Sequence, residues 1–89
     1  MIAFDAMLFR LDGPGAWTFV SVPSELAPAP SAPWGRAPVR ATVDGRAWDT
    51  SVWSDRRRGP LLPVPARIRR GKEAGEVVRV EISPRWTAA

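Results

Sequence analysis

Residues 36–53 read RAPVRATVDGRAWDTSVW, and their reading decides the fold. Asp44-Gly45 stands between two β-like runs. That is a strong two-residue hairpin signature, because a type I′ turn needs positive φ at both central positions. Centring the turn there pairs Val43 with Arg46, Ala41 with Trp48 and Val39 with Thr50. Side chains alternate across a strand, so Val39, Ala41, Val43, Trp48 and Val52 share one face, predicted to be buried. Arg40 and Asp49 meet on the opposite face as a cross-strand ion pair, worth roughly a few tenths of a kcal/mol. A one-residue slip would send Trp48 to solvent.

The flanking sequence repeats this alternation. Upstream, IAFDAMLFRLD reads as a strand from Ala3 to Asp12, with Phe4, Ala6 and Leu8 on one face and Asp5, Met7 and Phe9 on the other. Asp12-Gly13-Pro14-Gly15 is a turn, and AWTFVSV a second aromatic and β-branched strand. Pro23-Ser24-Glu25-Leu26 fits one turn of helix, since proline suits a first helical position. The proline-rich APAPSAPWG that follows is expected as an extended surface loop. Downstream, SDRRRGP is a charged loop and Leu61–Val64 a short strand. PARIRRG is a single helical turn closed by Gly71, and EVVRVEIS is the last strand, with Val78, Val80 and Ile82 on its inner face. Residues from Pro84 onward are expected as a tail that Trp86 could anchor.

An 89-residue chain leaves room for one small domain, and its 45% hydrophobic content supplies a core. Ten prolines and seven glycines disfavour a helical bundle and favour short strands joined by turns. Cysteine and histidine are both absent. That removes disulfides, thiolate and zinc–thiolate chemistry, Ser-His-Asp triads and imidazole metal sites. The first residues lack the basic start and long apolar core of a signal peptide, and no run approaches a membrane span. A cytoplasmic protein with no membrane association is therefore expected.

V-P-S-E-L at 22–26 and V-P-A-R-I at 64–68 share the pattern Val-Pro-x-x-aliphatic, 42 residues apart. Each follows an apolar strand, and each precedes a glycine, Gly35 or Gly75, that leads into an alternating strand. The chain thus reads as two pseudo-repeats, about 1–43 and 44–84, each strand, turn, strand, cap, loop, strand, with 85–89 as a tail. One such unit cannot bury its apolar face alone. Two can close on each other, which predicts an all-β, closed six-stranded barrel made within one chain.

The stretch V-P-x-x-I-R followed by G-E-x-V-x-V resembles the swapped-hairpin motif of AbrB and MazE-type domains. It does so at Pro65, Ile68, Arg69, Gly75, Glu76, Val78 and Val80, with Glu76 where aspartate is usual. A broader likeness runs in order through Phe4-x-Ala6, W-x-F-V-x-V-P (Trp17 to Pro23), G-R-x-P-V-R-x-T-V-D-G (Gly35 to Gly45), Thr50-Ser51 and L-P-V-P-x-x-I-R (Leu62 to Arg69). It is similar to the small bacterial domain-of-unknown-function family often found before a YdeI/OmpD-associated domain. The resemblance implies a double-split β-barrel related to AbrB, with both hairpin units in one chain. Two departures are that no companion domain lies within these residues and that loop Ala27–Trp34 is richer in proline than the family pattern. The likeness carries over no settled activity.

The remaining chemistry is sparse. Asp44 and Asp49 flank the hairpin, but Asp49 is expected to pair with Arg40, and DGRAWD lacks the oxygen-ligand spacing of a calcium loop. No catalytic residue, metal site or cofactor is expected. Trp17 and Trp48 sit within alternating strands and are expected in the core, whereas Trp34 and Trp53 lie beside loops at exposed positions. Exposed tryptophan marks binding surfaces, so Trp34 and Trp53, with Arg40 and Asp49, are the candidate rim of a ligand pocket.

The net charge of +4 can attract phosphate, although nine acids are interleaved among the twelve arginines and one lysine as on an ordinary solvated surface. Arg56, Arg57 and Arg58, with Arg67, Arg69, Arg70 and Lys72, form the basic clusters. The first expectation is a non-catalytic binding module for a small molecule or a protein partner, monomeric or weakly dimeric. The alternative is a nucleic-acid- or phosphate-binding AbrB-like barrel using the basic clusters. A third reading is a small enzyme acting on a hydrophobic metabolite in the barrel cavity.

Overall fold

The computed structural model describes residues 2–11, 17–30 and 35–84. The hairpin sits at its centre. Strand β4 (Ala37–Val43) pairs with β5 (Arg46–Asp55) in the register expected, Ala41 opposite Trp48 and Arg40 opposite Asp49. Asp44 and Gly45 turn the chain with φ of 47° and 85°, the two positive values that a type I′ turn demands. Val39, Ala41, Val43, Trp48 and Val52 are all buried.

Around this pair run β1 (Ile2–Met7), β2 (Phe9–Arg10), β3 (Thr18–Ser21), β6 (Gly59–Pro63) and β7 (Val77–Pro84). A 3-10 turn, Ser24–Leu26, follows β3, and a four-residue helix α1, Ala66–Arg69, follows β6. Every pairing is antiparallel, in the order β1-β7-β4-β5-β6-β3-β2. The two ends of that order, β1 and β2, are joined by Leu8 alone, so the sheet all but closes on itself. Inside lie Phe4, Leu8, Val20, Val22, Leu62, Val64, Ile68, Val78, Val80 and Ile82 with the hairpin residues.

The strand count departs from the six expected, because the first strand breaks in two. Leu8 keeps its backbone bonds to the lead-in of β7, donating to Glu76 O at 2.9 Å and accepting from Gly75 N–H at 2.8 Å. One residue later Phe9 pairs with Phe19 on β3 instead. A strand that serves both neighbours of a small barrel has to bend between them, and the buried Leu8 marks the bend. Strand β5 is shared in the same way, Arg46 to Val52 pairing with β4 and Trp53, Ser54 and Asp55 with β6.

Two other expectations change. Pro84 is not tail but the last residue of β7, opposite Val39; residues 85–89, Trp86 included, lie outside the described residues. Trp17, expected in the core, is 50% exposed. It precedes β3 on the face shared with Phe19 and Ser21, while Thr18, Val20 and Val22 turn inward. Trp48 does take its core position, at 6% exposure.

Candidate functional site

Strands β5 and β6 pair only at Trp53–Asp55, so they diverge toward the hairpin end of β5. A groove of about 450 Å³ opens there. Trp48, Asp49 and Thr50 line it from β5, and Pro63 to Arg67 with Arg69 line it from the end of β6 and the cap, while Trp17 and Thr18 stand at the start of β3. The lining therefore combines indole surface, two prolines, a hydroxyl pair and two guanidinium groups around one carboxylate.

The cap is held rigidly enough to form a wall. Pro65 starts it, Ile68 N–H and Arg69 N–H both donate to Pro65 O at 2.9 and 3.1 Å, and Ile68 is buried. Arg70 takes the left-handed conformation that ends the turn, φ 50°, and its N–H bonds to Ala66 O. Arg46 reaches from β5 to Ile68 O at 3.2 Å. Arg69 folds back on its own turn, Nε donating to Val64 O at 3.1 Å, with Glu73 3.9 Å away. Lys72 pairs with Asp44 at 2.8 Å. Of this basic cluster, Arg67 alone combines a place on the groove with no hydrogen bond or ion pair among the described residues.

The pocket rim expected from sequence is only partly brought together. Asp49 lines the groove, and Arg40 holds its carboxylate at 3.0 Å from the outer face. Trp53 is half-buried rather than exposed and lies outside the groove, its ring 5.3 Å from that of Trp17. Trp34 lies outside the described residues. Trp17, Thr18, Trp48, Thr50 and Pro63 to Ala66 were missed. Trp17 could have been found from parity, because Val20 and Val22 set the inner face of its strand. The rest of the lining depends on β5 leaving β6, which no local pattern encodes.

Arg56, Arg57 and Arg58 form the turn between β5 and β6, whereas the second basic cluster lies on α1 and just after it. Asp55 Oδ1 accepts the backbone N–H groups of Arg57 and Arg58, each at 2.8 Å. Those two bonds, Arg58 first, hold the Asp55 carboxyl below the usual range. Among the described residues no group of three or more acidic, histidine or cysteine side chains is placed to hold a metal ion. No helix among them is long and apolar enough to cross a membrane.

Fold and groove define a small, nearly closed, all-β antiparallel barrel with an open side cleft capped by one helical turn. The chain belongs to the family described as Domain of unknown function (DUF1905), which matches residues 4–82. A search of curated proteins gave no match.

Proposed function

We propose that this chain is a non-catalytic binding module whose groove between β5 and α1 takes a small organic anion with a flat apolar part. The observation that carries the reading is the lining itself. Trp17 and Trp48 offer ring surface beside Arg67, an exposed guanidinium without a partner among the described residues. Concave sites with aromatic walls and one or two placed charges suit small ligands, and a guanidinium suits carboxylate or phosphate. The groove's carboxylate, Asp49, is already paired with Arg40 at 3.0 Å, which favours binding over acid–base catalysis.

Ligand-dependent quenching of tryptophan fluorescence, with thermal unfolding across a set of aromatic carboxylates and phosphates, tests the proposal. A ligand at a hundredfold its Kd adds about 2.7 kcal/mol to stability. The expected result is a shift that Arg67→Ala and Trp17→Ala both abolish. A stabilising ligand that neither change affects would place binding elsewhere and sink the reading.

We also propose that the barrel is of the double-split type and built from two pseudo-repeated units. Symmetric backbone bonds support this. Val22 N–H donates to Pro60 O at 3.0 Å, and Val64 N–H donates to Thr18 O at 2.9 Å, the same bond with the units exchanged. Leu26 N–H to Pro23 O and Ile68 N–H to Pro65 O, both 2.9 Å, repeat the cap. The ion pair Arg40–Asp49 has its counterpart in Arg79–Asp5, 3.0 and 3.2 Å.

A further inference from the structure

Outside the barrel core lies a second apolar layer. Phe19 and Leu61 are buried, yet neither belongs to the core cluster. They sit on the outward rows Phe9–Phe19–Pro63 and Ser21–Leu61–Trp53 of the paired strands. Phe9, Trp17 and Trp53 form the skin of this layer. Trp17 stacks on Phe19 at 6.3 Å and meets Trp53 at 5.3 Å, while Phe9 lies 6.1 Å from Phe19. Arginines border the rings, with Arg36 5.9 Å from the Trp53 centroid and Arg58 6.0 Å from that of Phe9.

Charge divides across the barrel in a way that composition alone conceals. On β1, β4, β5 and β7 the outward Arg40 and Arg79 each face an aspartate at 3.0–3.2 Å. Beside the aromatic layer, Arg36 and Arg58 are exposed, as are Arg56 and Arg57 in the turn that carries Arg58. The one carboxylate of β2, β3, β6 and the end of β5 is Asp55, and the backbone N–H groups of Arg57 and Arg58 occupy it. This face thus joins half-exposed rings to guanidinium groups that make no salt bridge among the described residues.

We infer that this face binds single-stranded nucleic acid, with bases stacking on Trp17, Trp53 and Phe9 and phosphates meeting Arg36 and Arg56–Arg58. Sequence-tolerant single-strand binding needs ring platforms beside a basic track, and both are here. A duplex hides its base faces from such a platform. Among the described residues the one α-helix, α1, has four residues and supplies no reading element for a major groove. The groove beside α1 adjoins this face at Trp17, but Trp53 and Arg56–Arg58 do not line it.

The test is fluorescence anisotropy at low salt with a labelled oligothymidylate of about fifteen nucleotides, beside a duplex of the same length. The single strand is expected to bind more tightly than the duplex. Trp53→Ala lowers affinity about tenfold, as loss of one stacked base does. Replacing Arg56, Arg57 and Arg58 by alanine flattens the salt dependence by about 0.7 in log–log slope for each phosphate no longer neutralised. Because Trp53 also covers Phe19 and Leu61, the pair R36E/R58E, which leaves every ring in place, must reproduce the loss, while Arg67→Ala has no effect. No binding at low salt, equal binding of duplex, or full affinity in R36E/R58E overturns the inference. A face built for a protein partner would give the first of these results.

Discussion

The Nζ of Lys72 lies 2.8 Å from Oδ2 of Asp44, joining the loop after α1 to the tip of the β4–β5 hairpin. Oδ1 of the same carboxylate accepts the Arg79 N–H at 2.9 Å, and Lys72 also donates to Val77 O at 3.1 Å. Asp44 thus does more than turn the hairpin. It fastens three segments, and the Lys72 hydrogen bond, followed by that from Arg79, holds its carboxyl below the usual range.

A depressed folded pKa stabilises the protein above the unfolded value of about 3.9. That contribution fades as pH falls through the folded pKa. Asp44→Asn keeps a residue that tolerates the left-handed turn but loses the charge. We expect it to cost about 1 kcal/mol at neutral pH, a partly solvated charge-assisted bond being worth no more. Urea unfolding of both proteins should give midpoints that converge in strong acid. A gap that persists there would assign the effect to the turn instead.

The two caps should differ in weight. Ile68 is buried in the core, whereas its counterpart Leu26 is half-buried and only packs against it. Ile68→Ala is expected to cost about 2–4 kcal/mol, and Leu26→Ala about half as much. Denaturant unfolding of the two variants decides this; equal costs would mean that both caps seal the barrel alike.

What was legible in the sequence was whatever obeys a local rule. Asp44-Gly45 fixed the hairpin, and the period of two then placed Ala41 opposite Trp48 and Arg40 opposite Asp49, all as observed. Proline marked the start of both caps, at Pro23 and Pro65. The break at Leu8 was not legible, because Phe4, Ala6 and Leu8 keep one face through it, and only closure of the barrel requires the bend. The groove was hidden for a related reason. It exists where two paired strands part, so its lining joins Trp17, Trp48 and Arg67 from three distant parts of the chain.

Trp17 and Trp48 line the same groove but answer to different forces. Trp48 fills the core, so Trp48→Ala should cost about 3–5 kcal/mol. Trp17 leaves half its surface in water, and Trp17→Ala should cost about 1 kcal/mol, the worth of its ring contacts. Thermal unfolding separates the two. A collapse of Trp17→Ala comparable to that of Trp48→Ala would return Trp17 to the structural core and weaken its assignment to binding.

Asp49 provides the cleanest separation of stability from ligand recognition. Its ion pair with Arg40 is exposed on both sides, 55% and 49% for the Arg40 and Asp49 side chains. Exposed pairs contribute about 0–1 kcal/mol, because solvent screens them and ordering two long side chains has an entropic cost. Asp49→Asn should therefore leave the unfolding midpoint nearly unchanged. In the groove the same change removes the one negative charge that would repel an organic anion approaching Arg67. Affinity for such a ligand should rise several-fold in D49N and fall in Arg67→Ala, as read by tryptophan quenching at low salt, with the difference shrinking as salt increases. A ligand that binds D49N more weakly than the parent would have to be a cation or a hydrogen-bond donor to Asp49, and the anion assignment would then fail while the groove itself stood.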